Sequence, residues 1–162
     1  MKILIIFLIT SAAAFSQQTE RSSNILYVEL LGNGLLSSIN YEYEMSNNFS
    51  ARIGVGYWFS NSESNSGAHH DFAFLPVAML NYLFQIYGNN YMEIGAGTLI
   101  SASDLSSTTG FESTVALVPT FALGYRYSPK NGGFFFSVAF DMFSVSLSYV
   151  MPWAGFGLGY RF

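Results

Sequence analysis

Residues 49–59 read FSARIGVGYWF, and hydrophobic side chains occupy every second position. The odd positions hold Phe49, Ala51, Ile53, Val55, Tyr57 and Phe59, and the even positions hold Ser50, Arg52, Gly54, Gly56 and Trp58. A period of two over about ten residues is typical of a β-strand whose two faces meet different surroundings. This segment therefore predicts a strand with one apolar face.

The same alternation recurs in residues 37–45, 92–101, 114–127 and 154–162. The connections alternate in length, with short turns at 46–48, 88–90 and 129–133 and longer ones at 60–71, 103–112 and 144–152. Adding a small first loop at 32–34 gives eight strands, at about 25–32, 35–45, 49–60, 72–85, 91–102, 113–127, 134–143 and 153–162. Short turns on one side and longer loops on the other are typical of membrane barrels. We predict an all-β fold, an eight-stranded antiparallel transmembrane β-barrel with up-and-down meander order.

The composition agrees with a chain that faces lipid. Of 162 residues, 51% are hydrophobic, 10% are charged and none is cysteine, and the mean hydropathy is +0.32. This excludes a disordered chain, a nucleic-acid binder and a disulfide scaffold. The most apolar stretch after the N-terminus, residues 72–84, is interrupted by Pro76 and Asn81, whereas a helical span needs about 20 apolar residues. A closed barrel is the other structure that satisfies its backbone in lipid.

The N-terminus has the pattern of a cleavable secretory signal. Met1-Lys2 is followed by an apolar core at 3–9 and by the small-x-small triplet Ala14-Phe15-Ser16. We expect residues 1–16 to be the signal peptide and residues 17–162 to form a single barrel domain.

Charged side chains on the strands all fall on the phase assigned to the interior. They form the predicted lumen ion-pair network: Glu29, Glu42, Glu44, Arg52, Glu93, Arg126, Asp141 and Arg161. A basic residue facing lipid at the midplane costs roughly 2–4 kcal/mol, which explains the phase. A turn symmetric about Asn47 puts Glu42 opposite Arg52, and we expect those two to pair, with Glu93 and Arg126 as a second pair.

The interior of an eight-stranded barrel is just wide enough for its side chains. We therefore expect a plugged, polar, salt-bridged lumen rather than a channel. Five interior acids against three arginines also admit a protonated carboxylate or a bound cation, although a plain ion-pair network is the main expectation. Glycines at two-residue steps within the strands are expected to make room for Trp58, Trp153 or Phe135.

Aromatic residues concentrate near the short turns, as one interfacial girdle of a membrane barrel does. The predicted girdle consists of Tyr41, Tyr43, Phe49, Tyr82, Phe84, Tyr91, Tyr125, Tyr127, Phe134, Tyr160 and Phe162.

The C-terminus carries a recognisable motif. Phe156, Leu158, Tyr160 and Phe162 stand at two-residue steps, and this pattern resembles the signal that the outer-membrane barrel assembly machinery recognises. With its eight strands and segments 28–34, 75–82 and 152–155, the chain resembles the OmpA transmembrane domain and OmpX-like barrels of Gram-negative bacteria. The resemblance implies a monomer inserted by that machinery among outer-membrane lipid and lipopolysaccharide, with no catalytic residue, cofactor or metal. The small first loop departs from the protruding outer strands of OmpX-like proteins.

The expected role is structural or surface interaction in the cell envelope, without enzymatic activity and without a nucleic-acid partner. One alternative is a narrow channel or small apolar-ligand transporter, resembling OmpW. A second is a lipid A-modifying enzyme or protease that uses His69, His70 and Asp71 in the second long loop. A third is a secreted barrel of lipocalin type, which would need a polar outer surface.

Overall fold

The fold was analysed in a computed structural model, which describes the backbone of residues 23–64, 67–104, 113–146 and 149–162. Side chains are described within these ranges except at 58–73, 101–104, 113–115, 145–146 and 149. The predicted signal peptide lies outside the described residues. Eight strands follow one another: β1 (Asn24–Leu31), β2 (Ser37–Glu44), β3 (Phe49–Ser64), β4 (Gly67–Tyr87), β5 (Asn90–Asp104), β6 (Ser113–Tyr127), β7 (Gly133–Ser146) and β8 (Tyr149–Arg161).

Each strand pairs antiparallel with the next, and β8 pairs with β1 to close the barrel. The predicted fold class is confirmed. Phe162 continues the closure beyond β8, because its amide donates to the Asn24 carbonyl at 2.9 Å and its own carbonyl accepts from Asn24 at 3.2 Å. Short turns join β2 to β3, β4 to β5 and β6 to β7 at the end we call the turn end. The opposite end is the loop end.

The prediction of a long loop is wrong for two connections. Residues 60–71 continue the β3–β4 ladder, from Ser60 paired with Asp71 up to Ser64 paired with Gly67. Residues 144–152 largely continue the β7–β8 ladder, with a register shift between Ser144 and Ser146. Polar or irregular sequence in these stretches led to the loop prediction, but the backbone makes the ladder hydrogen bonds, so the pairing continues through such residues.

The barrel wall divides into three two-stranded ribbons towards the loop end, and prolines lie where it divides. The β4–β5 ladder ends at Val77 and Leu99, next to Pro76, and the β6–β7 ladder ends at Thr120 and Phe143, next to Pro119. Proline has no amide hydrogen to donate, so it is found on strand edges rather than in the middle of a sheet. These residues therefore mark the upper limit of the continuous wall.

The outer surface of the barrel is an apolar belt. Exposed side chains on it include Leu26, Val28, Ile39, Ile53, Val55, Phe74, Leu80, Ile94, Leu117, Leu123, Phe140, Phe156 and Leu158. The described part of the chain contains no helix that is long and apolar enough to cross a membrane. The belt matches the predicted lipid face and contradicts a lipocalin-type polar surface. One girdle residue was misplaced, because Tyr91 is buried on the inner face.

Candidate functional site in the barrel interior

All eight charged residues predicted for the lumen are buried inside the barrel. They are contributed by β1, β2, β3, β5, β6, β7 and β8, so the meander brings together carboxylates and guanidiniums that are distant in sequence. Taking charges out of water is unfavourable unless they are paired and hydrogen-bonded. Seven of the eight form three groups, each organised by one arginine, and the eighth, Asp141, accepts a hydrogen bond from Asn33.

Arg126 on β6 is the centre of the first group. Its Nη1 and Nη2 donate to the two carboxylate oxygens of Glu42 at 2.5 and 3.1 Å, and its Nε donates to Glu93 Oε2 at 2.6 Å. The Ser50 hydroxyl donates to Glu42 as well. One guanidinium thus serves two carboxylates, and Arg126 and Glu93 form the second pair expected from the sequence.

Arg52 on β3 organises the second group. It forms an ion pair with Glu29 on β1, and its Nε donates to Asn40 Oδ1 at 2.9 Å. Asn40 in turn donates to the Ser38 hydroxyl at 2.8 Å, and Ser38 donates to Glu29 at 3.3 Å. The polar atoms of this group form a closed hydrogen-bonded ring on the inner faces of three adjacent strands.

Arg161 on β8 organises the third group, near the turn end. Its Nη1 and Nη2 donate to the two oxygens of Glu44 at 2.6 and 2.7 Å, a bidentate geometry that is the strongest form of this pair. Nη1 also donates to the Ser128 hydroxyl at 2.8 Å. The pair links β2 to β8 across the interior.

The first expected pair, Glu42 with Arg52, is corrected by the structure. The register is as the symmetric turn predicts, since Glu42 lies directly opposite Arg52. Arg52 nevertheless binds Glu29, one strand further along, and Glu42 binds Arg126 from across the lumen. In a narrow closed barrel, a long arginine side chain can reach strands other than its immediate neighbour.

Two aromatic rings separate the two largest groups, and sequence reasoning missed this arrangement. The Arg52 guanidinium lies over the Tyr27 ring at 5.4 Å, and the Tyr27 and Phe135 ring centroids are 4.9 Å apart. The Arg126 guanidinium lies over Phe135 at 5.5 Å. Both distances from a guanidinium to a ring fit cation–π contacts. Gly159 could have indicated this arrangement, because it lies opposite Tyr27 on β1 and opposite Phe135 on β7.

Glycines make room mainly for Tyr27 and for amide side chains. A Cβ on Gly159 would lie 2.2 Å from the Leu26 carbonyl oxygen and 2.3 Å from the Tyr27 Cβ. A Cβ on Gly54 or on Gly95 would overlap the side-chain oxygen of an asparagine on the neighbouring strand. The expectation that they serve Phe135 or Trp153 is therefore replaced by these contacts, and the Trp58 side chain lies outside the described residues.

The first loop folds into the barrel instead of projecting from it. Residues Gly32–Gly34 form a short 3-10 turn, and all three are buried. Asn33 donates to Asp141 Oδ1 on β7 at 2.7 Å and accepts a hydrogen bond from the Thr120 hydroxyl on β6. This small first loop therefore covers the interior of the barrel at the loop end.

An apolar cluster lies in the interior beside the hydrogen bonds of Asn33 with Asp141 and Thr120. Leu75, Val77, Met79, Leu99, Ala122 and Phe143 form one buried cluster, with Leu35, Val118, Met151 and Trp153 packed against it. The sequence analysis expected a polar interior and did not predict this apolar cluster. Residues 72–84 carry apolar side chains on both phases, so alternation could not show which of them point inward.

The sequence matches no protein-family model. It also matches no curated protein. Among solved structures, the N-terminal β-barrel domain of OprF from Pseudomonas aeruginosa superimposes with a TM-score of 0.57 and 14% identity, covering 90% of this chain and 100% of that one. This chain has the fold of a small eight-stranded outer-membrane barrel.

Ail from Yersinia pestis is also similar to this outer-membrane-type barrel. The structure of Ail in a phospholipid bilayer nanodisc is 17% identical, covers 88% of this chain and 100% of that one, and gives a TM-score of 0.49. A crystal structure of Ail is 19% identical, covers 90% and 100% of the two chains, and gives a TM-score of 0.43.

The histidine cluster of this outer-membrane-type barrel lies on a strand, not in a loop. His69, His70 and Asp71 pair with Ser62, Asn61 and Ser60 in the β3–β4 ribbon. Their side chains lie outside the described residues. The predicted assembly signal lies on β8, where Phe156, Leu158 and Tyr160 are exposed on the outer belt.

Proposed function

We propose that this chain is an integral protein of the outer membrane with a closed interior and a structural or surface-interaction role in the cell envelope. The proposal rests on one observation: the barrel combines an apolar outer belt with three buried arginines, each paired with a carboxylate. Charged residues that face inward while large apolar residues face outward reverse the arrangement of a soluble protein. A lipid bilayer around the barrel suits this arrangement.

A closed interior is supported by what fills it at each level. The Arg161 pair lies near the turn end, and the Tyr27 and Phe135 rings lie between the guanidiniums of Arg52 and Arg126. The Glu29 carboxylate, the inserted first loop and the apolar cluster fill the part nearer the loop end. We propose that the protein conducts no ions in this state. We also propose that it is a monomer among outer-membrane lipid and lipopolysaccharide, that the barrel assembly machinery inserts it through the Phe162 signal, and that it carries no catalytic activity.

The test uses the mature chain refolded into detergent and into planar bilayers. Unboiled protein should migrate faster on gels than boiled protein and give a β-sheet circular dichroism spectrum, since a closed barrel resists the detergent. Bilayers that contain it should show no current steps above leak. Good solubility without detergent and unchanged mobility would refute the membrane assignment, whereas regular current steps would refute only the closed interior and favour the narrow channel.

A further inference from the structure

We infer that the barrel wall holds a lateral site for one acyl chain of a membrane lipid, where β8 passes the end of β1. This inference rests on the proposed membrane location and adds a specific site to it. The ladder between β1 and β8 ends at Leu31 paired with Gly155, whereas the β7–β8 ladder continues to Tyr149. Among the described strands, residues 149–154 of β8 therefore pair with β7 alone.

An apolar cavity lies at this interruption. Its volume is about 350 Å³, and its lining consists of Leu31, Phe140, Pro152, Trp153 and Ala154. It is an open depression in the outer surface and not an enclosed pocket. Leu31 and Phe140 belong to the outer belt, with 46% and 49% of their surfaces exposed, so the cavity opens towards lipid.

Trp153 distinguishes this cavity from an ordinary groove between belt residues. It stands on the inward phase of β8, between the outward Pro152 and Ala154, and it packs against the buried apolar cluster of the interior. A side chain can contact both the interior cluster and an outward cavity because the wall is interrupted beside it. The site thus reaches from the belt into the barrel wall.

The Trp153 indole and the Pro152 backbone nitrogen present no free hydrogen-bond donor to the cavity. The Trp153 indole N–H donates to the Leu35 carbonyl of the first loop at 3.3 Å, which leaves the carbon surface of the ring for the cavity. Pro152 itself contributes no amide hydrogen to the open edge of β8. Unsatisfied backbone donors are costly in hydrocarbon.

A lipid acyl chain is the occupant that these observations favour. The cavity is continuous with the apolar belt, since Phe140 is shared by both and Val150 is exposed on the same stretch of β8. A charged or hydrogen-bonding ligand would find no side-chain partner among the five lining residues. A chain that enters here lies against the ring of Trp153 instead of sliding along the outside of the wall.

The test uses quenching of tryptophan fluorescence by phosphatidylcholine brominated on its acyl chains. Trp58→Phe leaves Trp153 as the sole tryptophan of the chain. This protein is inserted into vesicles with increasing fractions of brominated lipid, and acrylamide serves as a water-borne quencher in parallel. We expect strong quenching by bromine that saturates at a low brominated fraction, together with little quenching by acrylamide.

Filling the cavity provides the decisive variant. Ala154→Phe in the same background should abolish most of the bromine quenching of Trp153. The matched control is Ala78→Phe, because Ala78 is exposed on the outer face of β4, away from the cavity, and it should leave the quenching unchanged. Equal quenching in both variants would overturn the site, as would strong acrylamide quenching, which would mean that water fills the cavity.

A separate tryptophan tells failure of the site from failure of the membrane assignment. Leu80→Trp, in a chain with both native tryptophans changed to Phe, places the probe on the exposed belt of β4. Quenching of this probe without quenching of Trp153 would refute the lateral site and leave the membrane barrel intact. Absence of quenching at both positions would refute the proposed membrane location.

Discussion

Replacing Arg126 by methionine tests whether the buried ion pairs hold the barrel together. The side chain is almost completely buried, and it donates to both oxygens of Glu42 and to Glu93. Arg126→Met keeps much of the volume and the contact with Phe135, but it leaves two carboxylates inside the barrel without their cation. The variant thus removes one cation and leaves the buried carboxylates of Glu42 and Glu93 without it.

The expected cost is at least that of breaking one buried pair, about 3–5 kcal/mol of unfolding free energy. The second carboxylate raises this cost, while the hydrogen bond that Glu42 keeps from Ser50 limits it. The lost cation–π contact with Phe135 adds about 0.5–2 kcal/mol, and the methionine sulfur recovers part of that. We therefore expect a lower limit of about 3 kcal/mol.

The assay is reversible unfolding by urea of the chain inserted in vesicles, followed by tryptophan fluorescence and by unboiled gel mobility. Lys130→Met, which removes a positive charge in the turn between β6 and β7, is the matched control and should change stability by no more than about 0.5 kcal/mol. Adding Glu42→Gln and Glu93→Gln to Arg126→Met should restore most of the loss, because the uncompensated charges are gone. Equal stability of Arg126→Met and Lys130→Met, or a triple variant less stable than the single one, would refute the reasoning.

Four other results are expected. Asn33→Ala should lower the unfolding free energy by about 1–3 kcal/mol, because two buried partners of the first loop lose their hydrogen bonds, and urea unfolding measures it. Gly159→Ala should destabilise the barrel by about 1–3 kcal/mol or more in the same assay, because the added methyl meets the Leu26 carbonyl oxygen and the Cβ and Cα of Tyr27. Removing Phe162 should reduce the amount of barrel assembled in cells while refolding in detergent succeeds; equal amounts would contradict the assembly signal. Changing His69 and His70 together to alanine should leave lipid A composition and peptide cleavage unchanged, as mass spectrometry can show.

The period-two alternation, together with the turn lengths, was sufficient to predict the number of strands, their order and the inward direction of the eight charged residues assigned to the lumen. Each of these depends on neighbours in sequence, or on the rule that a charge avoids lipid. The partner of each arginine could not be predicted in the same way. Arg126 and Glu42 are brought together by the curvature of the whole barrel, and the pairing register of adjacent strands carries no such information.

The apolar part of the interior and the extended ribbons were missed for a shared reason. Binary alternation distinguishes two faces only when one of them is polar. On β4, Leu75 and Val77 point inward while Phe74 and Ala78 point outward, and all four are apolar. At the far end of the β3–β4 ribbon, the sequences of 60–64 and 67–71 are mostly polar in both phases, so they show no alternation although the backbone pairing continues.

The bidentate pair between Glu44 and Arg161 has a consequence for the order in which the barrel forms. The two residues are separated by 117 positions, and the strand that carries the arginine is also the one that closes the sheet against β1. Until that strand arrives, the sheet has two free edges and Glu44 lacks its arginine. Contacts that join the two ends of a chain form slowly, since a long loop must close first. Closure and charge compensation therefore happen in a single late step, so a chain shortened before β8 should persist as an open, protease-sensitive sheet and not as a smaller barrel.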